Sequence, residues 1–172
     1  MSPGHIFLIG FMGAGKSTVA CLVADSLAMP CADLDDVIES RSGSTVSELF
    51  AETGEEGFRA LETDVLAGME SSTPTVIACG GGIVTRPENR AALKRMGTIV
   101  LLEVSAEEAI ARVGDATTRP LLSGPSGALA ATSLLKAREA LYRSVADIMV
   151  DTGGRTPEQV AALIVSALGE TS

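Results

Sequence analysis

A chain of 172 residues is long enough for one domain with a substantial core, and a hydrophobic fraction of 46% excludes a disordered segment. A formal net charge of −9 argues against nucleic acid or an anionic membrane surface as the main partner. The single histidine, His5, and three scattered cysteines with no C-x-x-C pair argue against a His-based metal site or triad.

The cysteines, Cys21, Cys31 and Cys79, read as reduced thiols of a cytoplasmic protein, each expected to serve in packing. "MSPGHIFLIG" lacks the basic stretch of a signal peptide, and no apolar run reaches the roughly 20 residues that span a bilayer. With no Trp, the core must come from Val, Ile, Leu, Ala and Met.

In chain order, "HIFLIG" is a short β-rich run ended by glycine, as in a buried parallel strand. "KSTVACLVADSL" follows with helical spacing, Val19, Leu22, Val23 and Leu27 sharing a face. "PCADLDD" reads as a second strand ending in acids. "VIESRSG" and "STVSELFAETG" read as short helices, and "GEEGFRALETDVLAGMES" as a longer amphipathic one with Phe58, Leu61, Val65, Leu66 and Met69 inward. "PTVIACGGG" is a third strand and "PENRAALKRMG" a helix with Pro87 in its first turn. "TIVLLEV" is a fourth strand, and Ser105 and Glu108 form a capping box opening "SAEEAIARV". The segment 114–128 breaks the periodicity and reads as a loop. "SLLKAREALYRSVA" is a helix, "DIMVDTGG" a short fifth strand, and "TPEQVAALIVSALG" a closing helix capped by Thr156.

Strands thus alternate with helices, the α/β pattern of a parallel sheet covered on both faces. Ligands of such sheets bind at the carboxyl ends of the strands. Four polar or glycine-rich stretches fall there: "GFMGAGKS", "DLDD", "CGGG" and "DTGG".

The first of these is G-x-x-x-x-G-K-S between a strand and a helix. Glycines let backbone N–H groups approach a polyphosphate, and the helix that starts near Lys16 adds its positive end. Gly13, Ala14, Gly15, Lys16, Ser17 and Thr18 are the nucleotide-binding candidates, with Lys16 on the β and γ phosphates and the Ser17 hydroxyl on Mg²⁺. No N-K-x-D for guanine is present, and the D-x-x-G at Asp151 comes too late in the chain for a switch loop.

A second substrate needs its own groups. If the strand continues through "DLDD", Asp33 and Asp35 stand at its polar end, one read toward metal and one toward substrate. The equally weighted alternative is an acidic cap for the next helix. Arg59 shares a helical face with Phe58 and Glu62, and Glu62 could orient it by an ion pair. Arg138 lies on a later helix. For both arginines a surface cation is the better reading on local sequence. Gly80, Gly81 and Gly82 suggest bare backbone facing a ligand, or a flexible turn. Arginines, carboxylates and bare amides suit a polyhydroxylated carboxylic acid.

"GFMGAGKST", "DLD", "FRALE", "GGG", "TRPLL" and "AREALYR", in this order along the chain, resemble the shikimate kinase family. The resemblance implies a single P-loop kinase domain over 1–172, with a three-layer α/β/α fold and a five-stranded parallel sheet ordered 2-3-1-4-5. It places a shikimate-binding segment at about 33–62 and a short lid at about 114–128. It implies transfer of the γ-phosphate of ATP to the 3-hydroxyl of shikimate. Asp35, Arg59, Arg138 and the glycines Gly80, Gly81 and Gly82 would bind shikimate. Asp35 would contact the ring hydroxyls, and Asp33 would support Mg²⁺ with Ser17. Arg119 would be the lid arginine, with Lys16 and Asp35 its catalytic companions. Arg112 and Pro157 would flank the adenine. The rival readings are a gluconate-type kinase and a catalytically idle nucleotide-binding module. A monomer is expected, since no long heptad is left over.

Overall fold

All six residues of the first strand, β1 (His5–Gly10), are buried, because it runs through the middle of the sheet. The computed structural model describes residues 4–113 and 127–170. Four further strands flank β1: β2 (Cys31–Asp33), β3 (Val76–Ala78), β4 (Gly97–Glu103) and β5 (Ile148–Asp151). The order is β2-β3-β1-β4-β5 and every pairing is parallel. This is the expected sheet of the P-loop kinase fold.

Alternate residues of the strands feed two separate cores, as the period of two requires. Phe7, Ile9, Ile77, Ile99 and Leu101 face one side. There they meet α2 (Leu34–Ser42), α3 (Val46–Gly68), α4 (Pro87–Met96) and α6 (Gly127–Val145) through Leu34, Ile38, Phe58, Leu66, Leu93 and Tyr142. Ile6, Leu8, Val76, Val100 and Leu102 face the other side and pack on α1 (Lys16–Leu27) and α7 (Pro157–Glu170) through Val19, Val23, Val160 and Ile164. A smaller cluster joins Phe11 and Met12 to α5 (Ala106–Val113) and α6 through Ala109 and Ala131.

Local chemistry sets the helix starts. The Thr45 hydroxyl accepts from the Glu48 amide at 3.2 Å, while the Glu48 carboxylate accepts from the Thr45 amide at 2.7 Å, which closes a capping box on α3. Thr156 and Gln159 make the same reciprocal pair on α7, as expected of Thr156. At α5 the Ser105 hydroxyl accepts from the Glu108 amide at 3.2 Å, the forward half of the expected box.

Three boundaries differ from expectation. The second strand stops at Asp33, because the Asp33 carboxylate accepts from the Asp35 amide at 2.9 Å and caps α2. Asp35 is therefore in the first turn of a helix, so the extended-strand reading of Asp33 and Asp35 fails and the acidic-cap reading holds. The two helices expected on either side of Gly54 run on as α3, broken at Gly54, whose φ of 70° is left-handed. Helix α6 starts at Gly127, so the end of the expected 114–128 loop belongs to a helix. Residues 114–126, with Arg119, lie outside the described residues.

Candidate active site

The loop between β1 and α1 turns on glycines that no other residue replaces easily. Gly13 has a φ of 77°, and a Cβ there would lie 2.6 Å from the Ala109 carbonyl oxygen of α5. Gly15 caps α1 at a φ of 87° with open space beside it. Lys16 folds back over the loop, its ammonium donating to the carbonyls of Gly10 and Phe11 at 2.9 Å each. The Ser17 hydroxyl donates to the Asp33 carboxylate, which joins the start of α1 to the end of β2. Gly13, Gly15, Lys16, Ser17, Thr18, Asp33, Asp35, Cys79, Gly80 and Gly81 line a cavity of about 210 Å³ here. Ala14 sits buried under the loop, its amide bonded to the Phe11 carbonyl.

A second cavity, of about 240 Å³, opens beside the first. Asp35, Gly80 and Gly81 line both. The rest of its wall comes from Met12 and from α2, α3 and α6: Asp36, Glu39, Val46, Phe50, Phe58, Arg59, Glu62 and Arg138, with Gly82. Arg59 and Arg138 are both buried, so the surface-cation reading fails for each. The Arg59 guanidinium donates to Glu62 at 2.5 Å and lies 5.8 and 5.5 Å from the ring centroids of Phe50 and Phe58. Those rings meet at 4.5 Å across the break at Gly54.

Burial pushes the Glu62 carboxyl above the usual carboxylate range, and the Arg59 charge pulls it partly back. Glu62 Oε1 and Arg59 Nε are buried with no protein partner. Buried polar groups demand hydrogen bonds, so a wall of this kind asks for a polar ligand.

None of Gly80, Gly81 and Gly82 has a left-handed φ. A different reason keeps Gly80 and Gly82 bare, since a Cβ on either would meet a side chain of the cavity, whereas Gly81 has room for ordinary contact. A Cβ on Gly80 would lie 2.5 Å from Glu62 Oε1 and 3.3 Å from Asp35 Oδ1. One on Gly81 would lie 3.6 Å from the Tyr142 hydroxyl and 3.7 Å from Arg138 Nη1. One on Gly82 would overlap the Arg59 guanidinium. The three glycines are thus a seat for the carboxylates, the arginines and the tyrosine, not a flexible turn.

Two groups here escaped sequence reasoning. Tyr142 is buried beside Arg138 and donates to the Gly81 carbonyl. Burial pushes its hydroxyl up to about 12, so it stays a donor. A helical tyrosine four residues after an arginine, as in "AREALYR", was the available signal. Glu55 Oε1 lies 3.4 Å from Arg59 and 3.9 Å from Arg138, between the two guanidinium groups, and no sequence pattern marked it.

On the far side of the phosphate loop, Arg112 of α5 donates to the Thr152 hydroxyl at 3.0 Å and carbonyl at 3.1 Å, and to the Gly13 carbonyl at 3.4 Å. It therefore ties the loop to the end of β5. Pro157 is exposed at the first turn of α7. The packing role expected for the cysteines holds for Cys79 alone: it is buried, and burial pushes its thiol up. Cys21 and Cys31 are exposed, with their sulfurs 2.8 Å apart.

The model of a family described as shikimate kinase matches residues 12–169. A shikimate kinase of Mycobacterium avium is 43% identical over 171 residues, 99% of this chain and 96% of that relative. One of Pseudomonas syringae pv. tomato is 39% identical over 166 residues, 96% of each chain. The solved structure of shikimate kinase from Acinetobacter baumannii in complex with shikimate has a TM-score of 0.96 at 35% identity, covering 99% of this chain and 95% of that one.

Proposed function

The chain belongs to the shikimate kinase family, and we propose that its two adjoining cavities are the ATP side and the shikimate side of one transfer site. The reaction is transfer of the γ-phosphate of ATP to the 3-hydroxyl of shikimate, giving shikimate 3-phosphate and ADP. The observation that carries the assignment is the shared wall. Asp35, Gly80 and Gly81 belong to both cavities, so donor and acceptor meet with only these groups between them.

The loop amides of Gly13 to Thr18 and the N-terminus of α1 hold the phosphates. Lys16, now on the Gly10 and Phe11 carbonyls, exchanges those acceptors for phosphate oxygens. Ser17 and Asp33 fit Mg²⁺: a hydroxyl and a carboxylate already touch beside the loop, and hard oxygen donors suit that ion. When bound, the ion would neutralise charge on the transferring phosphoryl group. Arg112, fastened to Thr152, backs the loop on the side assigned to the adenine, with Pro157 beyond it.

On the acceptor side, Arg59 and Arg138 take the carboxylate, the feature that selects an acid over a neutral sugar. Asp35 meets the ring hydroxyls and orients the attacking one. Glu62 fixes Arg59 and offers its unpartnered oxygen to a hydroxyl. Glu55 now stands between the arginines, where the acceptor carboxylate would bind, so binding displaces it. Arg119 is assigned to the closing segment that excludes water from the phosphates.

The test is coupled-assay ADP release from MgATP with shikimate, with gluconate, and with neither. A rate that depends on shikimate and not on gluconate is expected. Equal rates with all three would overturn the acceptor assignment, and no turnover by folded, ATP-binding protein would return the idle-module reading.

A further inference from the structure

Cys21 lies four residues after Ser17 on α1, and Cys31 lies two residues before Asp33 on β2. Four helical residues rise about 6 Å, and two strand residues rise nearly the same. The Ser17–Asp33 contact and the Cys21–Cys31 contact are therefore two successive rungs between the same helix and the same strand. The sulfurs are 2.8 Å apart and both residues are exposed, whereas Cys79 is buried. Closing to the roughly 2.05 Å of a disulfide asks for less than about 1 Å of movement.

We propose that Cys21 and Cys31 form a reversible disulfide that governs Mg²⁺ entry at Ser17 and Asp33. The oxidant is a small hydroperoxide. One thiol sulfur attacks the O–O bond, becomes a sulfenic acid, and water leaves (or an alcohol, from an organic peroxide). The second thiol sulfur attacks the sulfenic sulfur, the S–S bond forms, and a water leaves with the second proton. Two thiols lose two protons and two electrons, and the peroxide takes up both. A dithiol reductant reverses the reaction by exchange.

The consequence follows from the ladder. Oxygen ligands of Mg²⁺ stand about 2.0–2.1 Å from the ion, so two adjacent ones lie roughly 2.9 Å apart, farther when one acts through water. Ser17 now donates directly to Asp33, and the two must move apart for Asp33 to act on the ion through water. A covalent tie one rung below resists that parting. This consequence rests on the Mg²⁺ assignment above, while the bond itself does not.

The experiment treats the full chain with hydrogen peroxide and counts thiols before and after unfolding. Reduced protein should show two reactive thiols when folded and three when unfolded. Oxidised protein should show none and one, with a mass about 2 Da lower that dithiothreitol restores. Half-saturation by Mg²⁺, read both in turnover and in binding of a fluorescent ATP analogue, should rise several-fold on oxidation. It should stay unchanged in peroxide-treated Cys21→Ser and Cys31→Ser. Unchanged thiol counts overturn the proposal outright. A disulfide that leaves Mg²⁺ half-saturation alone, or a loss that persists in both serine variants, overturns the coupling. Failure of shikimate turnover in the reduced protein would strike the proposed function and leave the thiol count to decide the bond.

Discussion

Replacing Gly82 by alanine should damage acceptor binding without touching the nucleotide side. The new methyl would overlap Cζ and both terminal nitrogens of Arg59. Comfortable carbon contacts need about 3.5–4.0 Å, so the guanidinium must retreat by more than about 1 Å. It has little room to retreat into, since Glu62 holds it at 2.5 Å and the Phe50 and Phe58 rings flank it. A retreat of that size breaks the charge-assisted hydrogen bonds to the acceptor carboxylate, worth about 1.5–3 kcal/mol. At 1.36 kcal/mol per tenfold, kcat/KM for shikimate should fall roughly 10- to 150-fold. KM for ATP should change by less than about twofold, because Gly82 does not line the phosphate cavity. Steady-state kinetics with each substrate varied in turn reads both. A shikimate kcat/KM within about threefold of the parent protein would refute the placement of Arg59 on the acceptor. An equal rise in the KM for ATP would refute the division into two sides.

Tyr142→Phe removes the hydroxyl that donates to the Gly81 carbonyl and leaves that acceptor unpaired, at about 1–3 kcal/mol. A several-fold rise in the KM for shikimate with the KM for ATP unchanged is expected, and a rise in both would make the tyrosine merely structural. Glu55→Gln removes the charge that stands between Arg59 and Arg138, so the KM for shikimate should fall several-fold; a higher KM would mean that Glu55 helps to bind the acceptor. Glu62 has its carboxyl raised above the usual range by burial, so its protonated form is favoured in the fold. The stability this contributes is present below the ordinary value of 4.5 and is lost as pH rises through the raised folded value. Melting temperatures from pH 4 upward should therefore show Glu62→Gln gaining on the parent protein as pH rises, and parallel curves would contradict the shift.

Most of the layout was legible in local sequence. Apolar runs ended by glycine located the strands, and spacing alone marked the loop from Gly10 to Ser17 as the phosphate-site candidate. The sheet order came from the family resemblance, because periodicity carries no information about which strands lie side by side. The acidic-cap reading of Asp33 holds, since its carboxylate takes the Asp35 amide and starts α2. What stayed hidden depended on contacts between distant elements. Cys21 and Cys31 look unrelated in sequence and meet only because α1 packs against β2. The three glycines looked like bare backbone for a ligand, but Glu62 and Arg59 of α3 and Arg138 and Tyr142 of α6 stand against them. Arg59 of α3 and Arg138 of α6 read as surface cations, yet the fold buries both in the wall of the second cavity.

The central position of β1 also fixes when the site can exist during synthesis. Ile6 pairs with Val76, and His5 pairs with Gly97, so the first strand made must wait for about half the chain before either neighbour is available. Contacts of such long range close slowly, because the loop between them must be ordered first. Until then a largely apolar strand stands with both edges unpaired, the condition that invites aggregation. Substitutions that weaken β3 or β4 should therefore lower the yield of folded protein more than the activity of each molecule that succeeds.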